Sequence, residues 1–214
     1  MKLFKKIDLK PVYICLGMII IQAIIFMVLK IFQGEPHLIR GYLDNKIPFC
    51  SIFIIPYCIW YILVFFVPIY FYYNDKGAFV RYFICYGICS LCADLVFLIY
   101  PTEVLRPVFE SSNVFNYITN IIYAVDDPPV NCLPSLHCAI SMVFILTSLS
   151  SKKTSKLFKI FIIIISVLIM LSTLFIKQHV FIDFLTGITL AIYVYIFIIN
   201  NNFLFNKIKN LLHL

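Results

Sequence analysis

Three short polar clusters interrupt an otherwise apolar chain, and each carries residue types able to act on a phosphoryl group. Toward the C-terminal end stand Lys177, Gln178 and His179, with Asp183 four residues beyond the histidine. Positions i and i+4 share one face of a helix. A carboxylate there accepts from one imidazole nitrogen, fixes the tautomer, and leaves the other nitrogen free to attack or to take a proton. The same pair also fits a hydrogen bond that merely holds spans together. Upstream, Pro134, Ser135, Leu136 and His137 read as the opening of a helix. Unpaired backbone N–H groups and a partial positive charge suit such a place to phosphate. Ser135 adds a hydroxyl, and a protonated His137 would donate to a leaving oxygen. A plain N-cap followed by an interfacial histidine is the bland alternative. The third cluster is Arg106 with Pro107. Arginine grips phosphate through parallel N–H donors and lysine acts as a point charge, so Arg106 and Lys177 are candidate anion ligands. Singly, each also suits a snorkelling role at a membrane edge. The bland account needs all of these to coincide on one side of the molecule.

The elements that position these residues are membrane spans. Of 214 residues, 63% are hydrophobic and 13% charged. Soluble domains run near ~45–50% apolar and ~25% charged, so a soluble globular fold and a disordered chain are both excluded. The formal charge of +7 is therefore read by position along the spans rather than as a sign of nucleic-acid binding. Apolar runs near residues 12–32, 51–73, 79–100, 137–150, 157–176 and 180–199 predict an all-α, six-transmembrane-helix bundle in a single domain, residues 1–214. The first run is too long for a signal peptide and is read as an uncleaved span. The fourth is short and reaches normal length only if Cys132–Leu136 also lie at membrane depth, folded into the protein.

Basic residues set the orientation. Lys2, Lys5, Lys6, Lys10, Lys76, Arg81, Lys152, Lys153, Lys156, Lys159, Lys207 and Lys209 fall on one side. Arg40, Lys46, Arg106 and Lys177 fall on the other, with Lys30 at a border. The positive-inside rule then places both termini in the cytoplasm and all three clusters outside, in a plasma membrane. Tyr57, Trp60 and Tyr61 fit an outer aromatic belt. Residues 101–136 form the longest outer loop, and loops of that length are usually functional. Arg40 and the stretch Asp44 to Phe49 share that side and suit a lid or a headgroup contact. Glu103 and Glu110 flank Arg106 as candidate neutralising charges, and Asp126 to Pro129 reads as a turn. Asp94, deep in the third run, is expected to serve the scaffold. The eight cysteines sit mostly in apolar runs, and Cys89 and Cys92 lack a second pair at zinc spacing.

Arg-Pro, then Pro-Ser-x-His, then His-x-x-x-Asp, on a six-span outline, resembles the type-2 phosphatidic acid phosphatase superfamily of membrane lipid phosphatases. The motif core runs from about Tyr100 to Gly187. The stretches NCLPSLHCA and STLFIKQHVFIDFLTG look most like an inositolphosphotransferase-like branch that transfers lipid headgroups. The resemblance implies His179 as nucleophile, Asp183 orienting it, and His137 as acid for the leaving group. It implies substrate binding by Arg106 and Ser135, with Leu136 in the place of the motif's usual Gly. No metal or cofactor is implied, and the partners are the bilayer and a membrane phospholipid substrate. Two of the family's cations are replaced here, by Ile99 and by Thr173. Lys177 is expected to stand in for one of them. Three functions follow: hydrolysis of a lipid phosphate monoester, transfer of a headgroup to an alcohol, and a non-catalytic or transport role on the same scaffold.

Overall fold

The computed structural model describes residues 8–32 and 34–214; Lys2, Lys5 and Lys6, counted above among the orienting charges, lie outside the described residues. The described residues are helical apart from one two-stranded pairing and an isolated bridge between Glu103 and Val130. Helices α1 (Lys10–Phe32), α2 (Ile54–Asn74), α3 (Lys76–Ile99), α6 (Lys156–Phe175) and α7 (Phe181–Asn200) are long and apolar enough to cross a membrane. Between them lie α4 (Val114–Val125) and α5 (Leu136–Ser150), and α8 (Asn202–Leu211) closes the chain. Among the described residues the long apolar helices number five rather than the six expected, because α5 has only 15 residues. At 1.5 Å per residue it spans about 22 Å, short of a hydrocarbon core of about 30 Å. The segment before it makes up the depth as non-helical backbone: Asn131, Cys132 and Ser135 are all buried. Such backbone is tolerated only where protein covers it.

Helix α5 is the axis of the bundle. It packs against α3, α6 and α7, while α1 packs chiefly against α2 and α3 and buries only Pro11 and Cys15. Lipid is as apolar as leucine, so contact between spans depends on close approach of small residues and on hydrogen bonds. The α5–α7 contact shows both. A Cβ on Gly187 would sit 2.4 Å from the Ser135 carbonyl, and the Ser135 N–H donates to the Asp183 carbonyl at 3.1 Å. Asp94 accepts from the Gln22 amide at 2.9 Å and thereby ties α3 to α1, a scaffold contact within the bundle.

Two elements were not legible as spans. The loop 101–136 contains α4, capped by Asn113, whose side chain accepts from the N–H groups of Phe115 and Asn116. Phe115, Ile118 and Ile122, at helical spacing, pack beside the buried Ile54, Tyr57 and Ile176. Strand β1 (His37–Leu38) pairs in parallel with β2 (Thr102–Glu103), so the connection after α1 is fastened to the connection after α3. Both connections lie at one end of the bundle, with the starts of α5 and α7.

Candidate active site

The His179–Asp183 pair is built by the turn between α6 and α7. Lys177 takes a left-handed conformation, φ 54°, and the N–H groups of Gln178 and His179 both donate to the Thr173 carbonyl, at 3.0 and 3.1 Å. This closes α6 and swings His179 toward the first turn of α7. Asp183 occupies the third position of α7, where its Oδ2 accepts the Val180 N–H at 3.1 Å and meets His179 Nδ1 at 3.2 Å. One carboxylate oxygen therefore caps the helix and orients the imidazole. With Nδ1 donating to Asp183, Nε2 is the nitrogen left with a lone pair. Asp183 is fully buried and its Oδ1 has no partner among the described residues.

His137 stands on the second residue of α5, with its ring centroid 6.0 Å from that of His179. The interlocked Ser135, Asp183 and Gly187 set this separation. Tyr57 stacks on His137 at 4.5 Å and Trp60 lies against it at 4.2 Å, with Tyr61 edge-on at 5.9 Å. These aromatics, expected as a membrane belt, pack around a histidine. His137 Nε2 is buried without a partner, a state that costs about 1–3 kcal/mol unless a ligand satisfies it.

A cavity of about 280 Å³ opens beside His179, and Arg106, Lys177, Arg40 and Asp44 line it together with apolar residues such as Val104 and Leu174. The structure thus brings His179, Arg106 and Lys177 to one space. Ser135 and Leu136, expected at the phosphate, do not line it. Ser135 is fully buried, and its hydroxyl caps α5 by accepting the Cys138 N–H at 3.4 Å. The reason is local: a helix start at membrane depth needs its N–H groups satisfied from within.

Arg106 is more constrained than its sequence context implied. Its guanidinium donates to Asp126 Oδ2 at 2.5 Å, to the carbonyls of Tyr123 and Asp126 at 3.2 Å each, and to the Gln178 side-chain oxygen. Asp126 also pairs with Lys30 at 3.0 Å. The neutralising carboxylate is therefore Asp126, read beforehand as a turn residue, and not Glu103 or Glu110. Gln178, to which the sequence assigned no role of its own, holds the same guanidinium. Lys177 points its ammonium at the carbonyls of Asp44, at 2.9 Å, and of Ile47. Burial, with the nearby Arg40 charge, lowers the Lys177 pKa below the usual lysine value, against the opposing pull of Asp44.

The two missing motif cations have separate explanations. Thr173 is fully buried at the α5–α6 contact, its hydroxyl donating to the Met170 carbonyl at 2.8 Å beside Cys138 Sγ. An arginine does not fit there without parting the helices. Ile99 ends α3 and is 79% exposed, outside the cavity wall. Among the described residues, donor atoms of Cys132, His179 and Asp183 lie within 4.8 Å of one another, a set able to ligate a metal.

Fold and site together define an integral membrane protein with a histidine–carboxylate pair facing a cationic cavity. A family model of the PAP2 superfamily matches residues 31–197, most of the chain, and the protein belongs to that superfamily. Members of this superfamily are generally phosphatase-type phosphoesterases, and membership suggests a lipid phosphoesterase. No curated protein and no solved structure matches the chain.

Proposed function

We propose that the protein hydrolyses a lipid phosphate monoester, phosphatidate-like or polyprenyl phosphate, through a phosphohistidine intermediate. The observation that carries this reading is the His179 Nδ1–Asp183 Oδ2 contact at 3.2 Å on the wall of a cavity shared with Arg106 and Lys177. His179 Nε2 attacks phosphorus, and Asp183 steadies the imidazolium that forms. His137 donates a proton to the departing alkoxide, then takes one from the water that opens the phosphohistidine. Arg106 and Lys177 hold the non-bridging oxygens as charge builds on them. Ser135 and Leu136 act through the helix start that holds His137, Ser135 as its cap. No metal or cofactor enters the scheme.

In this reading α5 with its buried leader is the sixth crossing, both termini are cytoplasmic, and the site faces outward from a plasma membrane. The support is the distribution of charge: Lys10, Lys76, Lys152, Lys153, Lys159 and Lys207 all belong to the end opposite the cavity. The test is release of inorganic phosphate from a panel of lipid phosphate monoesters by the purified protein, with His179→Ala as control. Equal release by both proteins removes the enzymatic reading and leaves the non-catalytic one. Headgroup transfer, as in an inositolphosphotransferase-like enzyme, is the second reading. It is favoured by a second cavity that shares Val104, Leu105, Arg106 and Pro107 with the first and offers room for an alcohol acceptor. Label appearing on an added alcohol instead of as free phosphate identifies transfer.

A further inference from the structure

The segment 34–50 is strapped across the cavity at several points. β1 pairs with β2 at its start. Asp44 Oδ1 accepts the N–H of Phe181, the first residue of α7, at 2.7 Å, and Asp44 Oδ2 accepts the Gly41 N–H at 2.6 Å. Lys177 donates back to the carbonyls of Asp44 and Ile47. Between these fastenings the strap carries Arg40 onto the same wall as His179 and Lys177. Arg40 contacts the neutral side-chain oxygen of Asn45, and Lys177 meets only carbonyl oxygens. Neither forms an ion pair among the described residues, whereas Arg106 is already matched by Asp126. The one carboxylate on the wall, Asp44, has both oxygens occupied by backbone donors. Two cations held near each other with neutral partners repel, and an anion between them removes that repulsion. The proximity of Arg40 also helps to lower the Lys177 pKa.

We propose that Arg40 is a specificity-determining residue that binds a non-bridging phosphate oxygen and selects phosphoryl groups with two negative charges over singly charged diesters. The proposal rests on the phosphatase reading for its substrate. Arg40 also replaces, from an unrelated part of the chain, a cation lost from the motif core. A guanidinium offers two parallel donors to such a group, and the second charge of a monoester is what the extra cation rewards.

The test reads binding first, by calorimetric titration of the purified protein with inorganic phosphate. Arg40→Gln is expected to weaken phosphate binding about tenfold, and Arg40→Lys to recover part of it. Asn45→Ala removes the side-chain partner of Arg40 while keeping its charge, and Lys46→Gln removes a strap charge outside the cavity; both are expected to bind phosphate as the wild type does. The monoester-over-diester ratio of kcat/KM is expected to fall about tenfold in Arg40→Gln. Wild-type affinity in Arg40→Gln, no phosphate binding by the wild type, or loss of binding in Asn45→Ala overturns the proposal. Phosphate binding is measured without turnover. An inactive protein whose phosphate affinity still depends on Arg40 would sink the phosphatase reading and keep Arg40 as the anion ligand.

Discussion

The two ends of the bundle use charge in opposite ways. At the lysine-rich end, several charged groups are consumed locally. Asp75 caps α3 through the Ala78 N–H and accepts the Ser151 hydroxyl at 2.7 Å, while Lys159 donates to the Ser151 carbonyl at 2.6 Å. Asp8 accepts the Tyr72 hydroxyl, and Lys10 reaches the Leu212 carbonyl. These contacts stitch the ends of α1, α2, α3, α5, α6 and α8 together. At the other end, Arg40, Arg106, Lys177 and His179 converge on one open space, and His137 keeps a buried nitrogen without a partner. Local satisfaction serves the fold; unfinished satisfaction marks a place for a ligand.

Substitutions at the two ends should therefore separate activity from stability. The largest effect is expected from Asp183→Asn, which keeps the shape of the side chain but loses the charge that fixes His179. Turnover should fall about a thousandfold or more. Unfolding in detergent reports whether the helix cap survives. Retained turnover would mean that the carboxylate serves the cap alone. Gly187→Ala comes next. Its new methyl meets the Ser135 carbonyl, so α5 and α7 must part, at a cost of about 1–3 kcal/mol. A lowered melting temperature together with lower turnover is expected, because the same contact sets the spacing of His137 and His179. Wild-type behaviour in both would show that this contact does not govern the site.

Lys177→Ala should raise the KM for a lipid phosphate about tenfold, and near-wild-type kinetics would contradict its assigned role. The wild type adds a pH signature. Lysine is cationic below its pKa, and that of Lys177 is lowered by burial. Phosphate affinity should accordingly decline with rising pH before the ordinary lysine range is reached, and the decline should vanish in Lys177→Ala. The smallest effect is expected at the opposite end. Asp75→Asn weakens the α3 cap by about 1 kcal/mol and should leave kcat/KM alone. Burial by itself would raise the Asp75 pKa, but the Ser151 hydroxyl and the Ala78 N–H outweigh it and hold the value below 3.8. A depressed carboxylate stabilises the fold above the unfolded-state pKa and loses that contribution as pH falls through its own. The wild type should thus lose stability below about pH 4, and Asp75→Asn should lose less.

Much of the site was legible because its chemistry lies in local spacing. His179 and Asp183 are one helical turn apart, and His137 follows a proline and a capping serine, so pattern alone marks them. The partners of Arg106 were not legible. Asp126 and Gln178 reach it from two separate elements, with Lys30 on the far oxygen of Asp126, and no short-range pattern joins them. Strap and strand pairing were hidden for the same reason, since β1 and β2 are two residues each and lie far apart in sequence. Helix α4 did carry a signal: Asn113 as a cap, followed by apolar residues at helical spacing. It was masked because a span search looks for uninterrupted hydrophobic length. The shortness of α5 showed in the sequence, but its remedy, a buried non-helical leader, became visible only as packing.

The most direct measurement is a trap for the covalent intermediate. Purified protein is mixed with a lipid phosphate monoester labelled in its phosphorus, quenched rapidly in alkali, and digested for mass spectrometry. The expected result is an acid-labile, alkali-stable phosphoryl group on the peptide that contains His179, absent from His179→Ala and reduced in Asp183→Asn. Turnover with no label on His179, or equal labelling of the His179→Ala protein, would contradict it.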